Sequence, residues 1–206
     1  IKGDIPGHAT AVTSLSFEPG SQHIVSGGLD GVVHRWDVRT SALLDSMPSL
    51  DAVGPVAFSP DGTRVARADG ADGIGIWRLD GNAQEPLVEQ RPFDGQTGPI
   101  EEIVWNPSST HVAMIDEDGA VRIMDAQNGQ VISRWYARDG AVKNMLLQDN
   151  VVTLASHDRV IHRFDAMTGK PLPGLIGHTY GVRSIAPAGQ DLLVSASSDG
   201  TVRRWD

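Results

Sequence analysis

The sequence contains no cysteine, and that single absence removes disulfides, thiolate catalysis and cysteine-held zinc together. Long apolar runs are missing too. Apolar runs such as Met145–Leu147 and Val151–Val152 cover only a few residues and fall far short of a membrane-spanning helix. No charged segment followed by an apolar stretch opens the chain, so no signal peptide is read, and a start at Ile1 is read as that of a piece of a longer protein. Basic charge is scarce: 17 Lys+Arg stand against 26 Asp+Glu, for a net charge of −9. That balance opposes binding to nucleic acid or anionic membranes, which depends on a basic surface. Only Lys2, Lys143 and Lys170 are lysine, a bias that points to a GC-rich bacterial source. Also absent are His-Glu-x-x-His, Gly-x-Gly-x-x-Gly, a phosphate loop and a Gly-x-Ser-x-Gly elbow. Nucleotide, zinc and elbow-serine chemistry therefore lack support. The expectation is a cytoplasmic protein with no cofactor, no metal and no membrane insertion.

What is present is a repeat. The chain has 206 residues, 40% hydrophobic and 21% charged, a composition able to bury a core. Asp30-Gly31-Val32-Val33-His34-Arg35-Trp36-Asp37 returns as Asp199-Gly200-Thr201-Val202-Arg203-Arg204-Trp205-Asp206. Weaker copies begin at Asp118 and Asp158, and a shorter one runs Asp72-Gly73-Ile74-Gly75-Ile76-Trp77. The large apolar residue thus falls at 36, 77, 124, 164 and 205, at intervals of 41, 47, 40 and 41.

Each copy has one internal grammar. An alternating apolar segment (Val12–Phe17, Ile100–Trp105) leads to a turn such as Pro19-Gly20 or Asn106-Pro107-Ser108. A short apolar run follows, then the Asp-Gly turn, a third alternating segment and a last short one such as Gln130-Val131-Ile132. Runs of period two split by Gly, Pro, Asn and Asp predict antiparallel strands joined by tight turns, and no stretch keeps a helical period. Four strands per unit of about 41 residues is the pattern of a propeller blade.

With Gly7-His8 and Gly177-His178 placed 28 and 27 residues before Trp36 and Trp205, the chain resembles the WD40-repeat family. The resemblance spans nearly the whole sequence and weakens in the middle, where Gly-His is missing and Met124 and Phe164 stand at the tryptophan position. It implies an all-β fold, a β-propeller of four-stranded antiparallel blades. The units cover about 7–47, 48–90, 91–135, 136–176 and 177–206, with an N-terminal strand over 1–6. Two arrangements follow: five blades closed by residues 1–6, or part of a seven-bladed ring. Family habit favours the second.

The resemblance also implies structural tetrads joining the Gly-His histidine, a second-strand serine, the turn aspartate and the tryptophan. These are His8, Ser26, Asp30 and Trp36 in the first repeat, and His178, Ser195, Asp199 and Trp205 in the fifth. A buried indole N–H needs an acceptor and a buried aspartate needs donors, so the group reads as scaffold and not as a hydrolase triad. The third and fourth repeats keep Asp118 and Asp158 but carry Met114 and Leu154 at the serine place, and are expected to be the looser blades. Partner contacts in the family fall around the first-strand start and just before the turn aspartate. Carried over, these are Thr13, Leu29, Glu101, Glu117, Lys143, His157, Arg183 and Ser198.

Other groups have plainer readings. Asp116-Glu117-Asp118-Gly119 lacks the spaced ligands of a calcium loop and reads as an acidic turn. His34 and His162 hold equivalent positions in non-adjacent repeats, which argues against shared metal ligation. Arg35, Arg163 and Arg204 are expected to pair with nearby acids such as Asp37, Asp165 or Asp206. The segment 81–97 carries the extra residues of the long interval, with Leu87 and Phe93 expected to cover a blade edge. The first functional reading is a non-catalytic protein–protein interaction scaffold, a signalling or regulatory segment binding a protein or peptide through a propeller face. The alternative is a propeller enzyme, hydrolase- or lactonase-like, with an axial metal site. A nucleic-acid or phospholipid-head reader is a third, opposed by charge.

Overall fold

Nineteen strands, arranged as five antiparallel sheets, account for the regular structure of the computed structural model, which describes residues 5, 7–48, 52–69, 73–79, 88–90, 98–137, 142–189 and 192–206. The expectations for the N-terminal strand over 1–6 and for Leu87 and Phe93 lie outside these residues, apart from Ile5. Among the described residues there is no helix, and none is long and apolar enough to cross a membrane.

The first sheet runs β1 (Val12–Phe17), β2 (His23–Gly28), β3 (Val32–Asp37) and β4 (Ala42–Pro48). The second holds β5 (Val53–Phe58), β6 (Arg64–Asp69), β7 (Ile74–Arg78) and β8 (Val88–Gln90). The third comprises β9 (Ile100–Trp105), β10 (His111–Asp116), β11 (Ala120–Asp125) and β12 (Val131–Tyr136). In the fourth are β13 (Val142–Gln148), β14 (Val151–Ser156), β15 (Val160–Asp165) and β16 (Pro171–Ile176). The fifth has three strands, β17 (Val182–Pro187), β18 (Leu193–Ser197) and β19 (Val202–Trp205). We call these sheets blades 1 to 5.

The hairpin between second and third strands turns on the Asp-Gly pair. Gly31, Gly119 and Gly200 take φ of 74°, 79° and 80°, the left-handed region open to glycine without penalty. Blade 4 places Arg159 there instead, at φ 78°.

The core lies between blades, not inside them. Val25, Val33 and Met47 of blade 1 meet Val53, Val56 and Trp77 of blade 2; blades 2 and 3 join through Ile74, Ile76, Met114 and Met124. Ile115, Ile123 and Trp135 of blade 3 meet Leu154 and Phe164 of blade 4, and Ile161 packs on Ile185 of blade 5. The second strand is buried almost throughout in blades 1, 3 and 4 alike, since it lies in the middle of its sheet. Contacts between first strands run β1–β5–β9–β13–β17, and among the described residues the sheets do not close into a ring. The outer face of blade 1 is therefore bare, with Val12, Leu15 and Phe17 exposed.

First strands sit edge to edge around the centre, so their outward amides need acceptors. Side chains of the preceding blade supply them. Ser14 Oγ accepts Val56 N–H at 2.8 Å, and Asn144 Oδ1 accepts Ile185 N–H at 2.8 Å.

Candidate functional site

Two side-chain networks hold the end blades. In blade 1 the Trp36 indole N–H donates to Ser26 Oγ at 2.9 Å, His8 Nε2 lies 2.8 Å from that hydroxyl, and His8 Nδ1 lies 3.0 Å from Asp30 Oδ1. The Ala9 amide donates to the same carboxylate at 2.8 Å. In blade 5 Trp205 donates to Ser195 Oγ at 2.8 Å, and His178 bridges Ser195 at 2.7 Å and Asp199 at 2.8 Å. Burial works against ionisation of Asp30, but bonds from His8, Ala9 and Val32 outweigh it and lower its pKa. For Asp199 the Thr201 hydroxyl acts most strongly, and with His178 and Thr179 it holds the carboxyl far below the usual range. The glycine of Gly-His is required by close approach: a Cβ on Gly7 would fall inside the Trp36 ring. Both serine hydroxyls are buried and engaged, so neither is presented as a nucleophile.

The middle blades solve the same problem differently. Strand register sets Arg67, Met114 and Leu154 at the place of Ser26 and Ser195. Arg67 lies over the Trp77 ring, 3.9 Å from its centroid, and donates to the Met47 carbonyl. In blade 3 the buried acid is not Asp118, which is exposed, but Asp116. Its carboxylate accepts from Arg122 Nη1 at 2.8 Å and from the Ala120 amide at 2.8 Å, with both side chains almost fully buried. The acidic turn is thus anchored by an internal ion pair. In blade 4 Asp158 accepts from the Val160 amide and lies 2.7 Å from Nε2 of His162, four residues on in its own hairpin. Arg35 pairs with Glu18 at 2.8 Å and not with Asp37, while Arg204 stands 3.6 Å from Asp206.

The eight positions carried over as partner contacts are exposed and gather at one end of the blades. Thr13, Glu101, Lys143 and Arg183 are each the unpaired residue of a β-bulge: the registers step from Val12 to Ser14, Ile100 to Glu102, Val142 to Asn144 and Val182 to Ser184. A bulge breaks the alternation and re-aims the extra side chain, which is how four polar residues leave otherwise regular strands. Leu29, Glu117 and Ser198 are tied to the same end by backbone bonds to Ala11, Pro99 and Gly181. Blades 4 and 5 bring three of the eight into contact: Arg183 Nε donates to Ser198 Oγ at 2.7 Å, and its Nη1 lies 3.5 Å from His157 Nε2.

Two features escaped the sequence reading. Glu102, on the first strand β9 of blade 3, accepts from Asn144 Nδ2 at 2.7 Å; burial pushes its pKa up to about 7, against the opposing bonds from Asn144 and Met145. The adjacent Glu101-Glu102 pair was the only signal, and alternation alone assigns one to each side. The second feature is a cluster of His8, Asp30 and His34, one donor atom from each lying within 4.8 Å of the others. No sequence spacing could have flagged it, since His8 and His34 stand 26 residues apart.

Comparison with known proteins agrees with this geometry. The family described as WD domain, G-beta repeat matches residues 2–37 and 169–206, and the anaphase-promoting complex subunit 4 WD40 domain matches 56–150. Striatin-4 of Mus musculus is 26% identical over 96% of this chain and 29% of its own length. The U3 small nucleolar RNA-associated protein 4 homolog of Mus musculus is 26% identical over 96% of the chain and 30% of its own. WD repeat-containing protein 1 of Gallus gallus is 24% identical over 99% and 35%. The chain therefore spans about a third of the length of these curated relatives. Two matching repeat families, five antiparallel sheets and the tryptophan networks lead to one assignment: the chain belongs to the WD40-repeat β-propeller family.

Proposed function

We propose that this chain is a non-catalytic protein-interaction module, a regulatory segment of a larger cytoplasmic bacterial protein, that binds a protein or peptide through the bulge-bearing end of its blades. The observation that carries the reading is the set of exposed bulge residues, Glu101, Lys143 and Arg183 beside the exposed turn residues, with Thr13 at the same end but bonded to the Gly27 and Val53 carbonyls. Blade 3 offers an acidic pair, Glu101 and Glu117; blades 4 and 5 offer Lys143, His157 and Arg183. Adjacent sectors of opposite charge orient a partner of complementary pattern more than they hold it. The reading as a scaffold rather than an enzyme draws on the engagement of Ser26 and Ser195 by tryptophan indoles, which leaves neither of these two hydroxyls presented as a nucleophile. Arginine in place of lysine supports a bacterial source, and the net charge of −9 opposes nucleic acid and anionic lipid.

The test is quantitative capture of partners by the intact chain and by Lys143→Glu and Arg183→Glu variants. A defined partner retained by the parent chain and lost by either reversal, but kept by Arg204→Glu, supports the reading. A partner indifferent to all three substitutions overturns it. Turnover of ester or lactone substrates that requires an added divalent ion would return the enzyme alternative.

A further inference from the structure

Among the described residues, the cluster in blade 1 has a feature absent from the other blades. His8 and His34 rings lie 4.6 Å apart between centroids, with the Asp30 carboxylate beside them. The far nitrogen of each ring is held by a serine: His8 Nε2 is 2.8 Å from Ser26 Oγ, and His34 Nδ1 is 2.8 Å from Ser46 Oγ. That leaves His8 Nδ1 and His34 Nε2 as the nitrogens each ring can turn to Asp30. The aspartate in turn is fixed by the amides of Ala9 and Val32. Metal-binding histidines are commonly oriented in this way, by a polar partner on the nitrogen that does not bind.

We propose that His8, Asp30 and His34 form a three-ligand site for a borderline transition-metal ion of the zinc or cobalt(II) kind. Two imidazoles and one carboxylate suit such ions better than magnesium or calcium, which demand all-oxygen shells. Donors around tetrahedral zinc stand about 3.3 Å apart for bonds of about 2.0 Å. His8 Nδ1 and Asp30 Oδ1 are already at 3.0 Å, and His34 must close the remaining gap from within 4.8 Å. The ion takes the place of the proton shared by His8 and Asp30. A neutral His8 keeps its one proton by carrying it on Nε2, where Ser26 Oγ accepts it, so the tryptophan network survives. His34 also faces the Gly7 backbone, a contact that its ring gives up when it turns to the ion. A cavity of about 340 Å³ borders His8, one of the three ligands, together with Gly7, Thr10, Leu15, Ser26 and Trp36.

The other blades act as internal controls. Blade 5 has the same histidine and aspartate, but Arg203 stands where blade 1 has His34, and a guanidinium repels a cation. At that place blade 3 carries Arg122, paired with Asp116. Blade 4 has His162 and Asp158 but no Gly-His. Among the described residues, the blade 1 cluster is the one group of three metal-ligating side chains.

Titration of the chelator-stripped chain, free of any affinity tag, with cobalt(II) tests the proposal. The expected result is one equivalent bound, with the intense visible bands of a four-coordinate ion, displaced by zinc. His34→Ala should weaken binding at least ~100-fold, with the circular dichroism and metal-free melting of the parent, since His34 lies outside the tetrad. His34→Arg, which copies blade 5, is the second variant should the first fail to fold. In a chain without cysteine, His34→Cys should restore binding and add a sulfur-to-cobalt charge-transfer band, while His162→Ala should change nothing. No binding by the parent chain, a pale six-coordinate spectrum, or binding that both His34→Ala and His34→Arg leave intact would each overturn the site.

Discussion

Where blades 1 and 5 set a serine hydroxyl beneath a tryptophan, blade 3 sets Met114 against Met124, both fully buried. The difference follows from the group to be covered. An indole N–H taken out of water needs an acceptor, and the serine, histidine and aspartate follow from that need. A thioether needs none and fills space instead. Blade 3 buries its charge elsewhere, in the Asp116–Arg122 pair. The same hairpin layout is thus held by a polar relay in blades 1 and 5 and by packing plus an ion pair in blade 3. The neighbours differ too: Val12, Leu15 and Phe17 of β1 are exposed, whereas their counterparts Ile100, Ile103 and Trp105 of β9 are buried. Burial alone thus points the other way from the expectation that the third and fourth repeats are the looser ones, and amide exchange is the test. Amide protection should be greatest in β10 and β14 and weakest in β1 and β19.

The largest effect should come from Asp116→Ala, which leaves the Arg122 guanidinium buried without its facing carboxylate; a loss of about 3–5 kcal/mol is expected from denaturant unfolding. A cost under about 1 kcal/mol would mean the pair is hydrated and the contrast between middle and end blades is overdrawn. Next, Ile103→Ala should cost about 2–4 kcal/mol, whereas Leu15→Ala on the bare face should cost under about 0.5 kcal/mol. Equal costs would show that something covers blade 1 in solution. Third, Ser195→Ala strands the Trp205 and His178 partners and should cost about 1–3 kcal/mol, read as a lower unfolding midpoint.

Glu102 sharpens the comparison through pH. Its pKa is raised from 4.5 to about 7, so the folded chain holds a proton that the unfolded chain releases. Stability should therefore fall as pH rises from about 4.5 to about 7, by on the order of 2 kcal/mol. The lowered carboxylates of Asp30 and Asp199 act with the opposite sign and below this window, their contribution lost as pH falls beneath about 4. Unfolding midpoints at pH 5 and 8 should converge in Glu102→Gln; an unchanged difference would place the titration elsewhere. The smallest effect belongs to the blade 4 hairpin, where Arg159→Gly relieves a left-handed residue and should raise stability by about 0.5 kcal/mol. Loss of stability there would show that the arginine side chain contributes more than its backbone costs.

Strand number, order and turn positions were legible in the chain itself, because alternation and the Asp-Gly punctuation act over six to ten residues. The two tetrads were legible through resemblance, since their members recur at fixed distances from a tryptophan. What was not legible is which side chain fills a vacated place. Asp116 rather than Asp118 is the buried acid of blade 3, because the strand register turns Arg122 toward it. Arg67 covers Trp77, and Glu102 reaches Asn144 of the next blade, across gaps that no local spacing encodes.

Sequence alone determined the repeat and its strands, for these depend on each residue's neighbours along the chain. Tertiary structure decided the partners of Arg122 and Glu102, because a buried polar group is satisfied by whatever the adjoining strand or blade brings within about 3 Å, and that distance is set by packing.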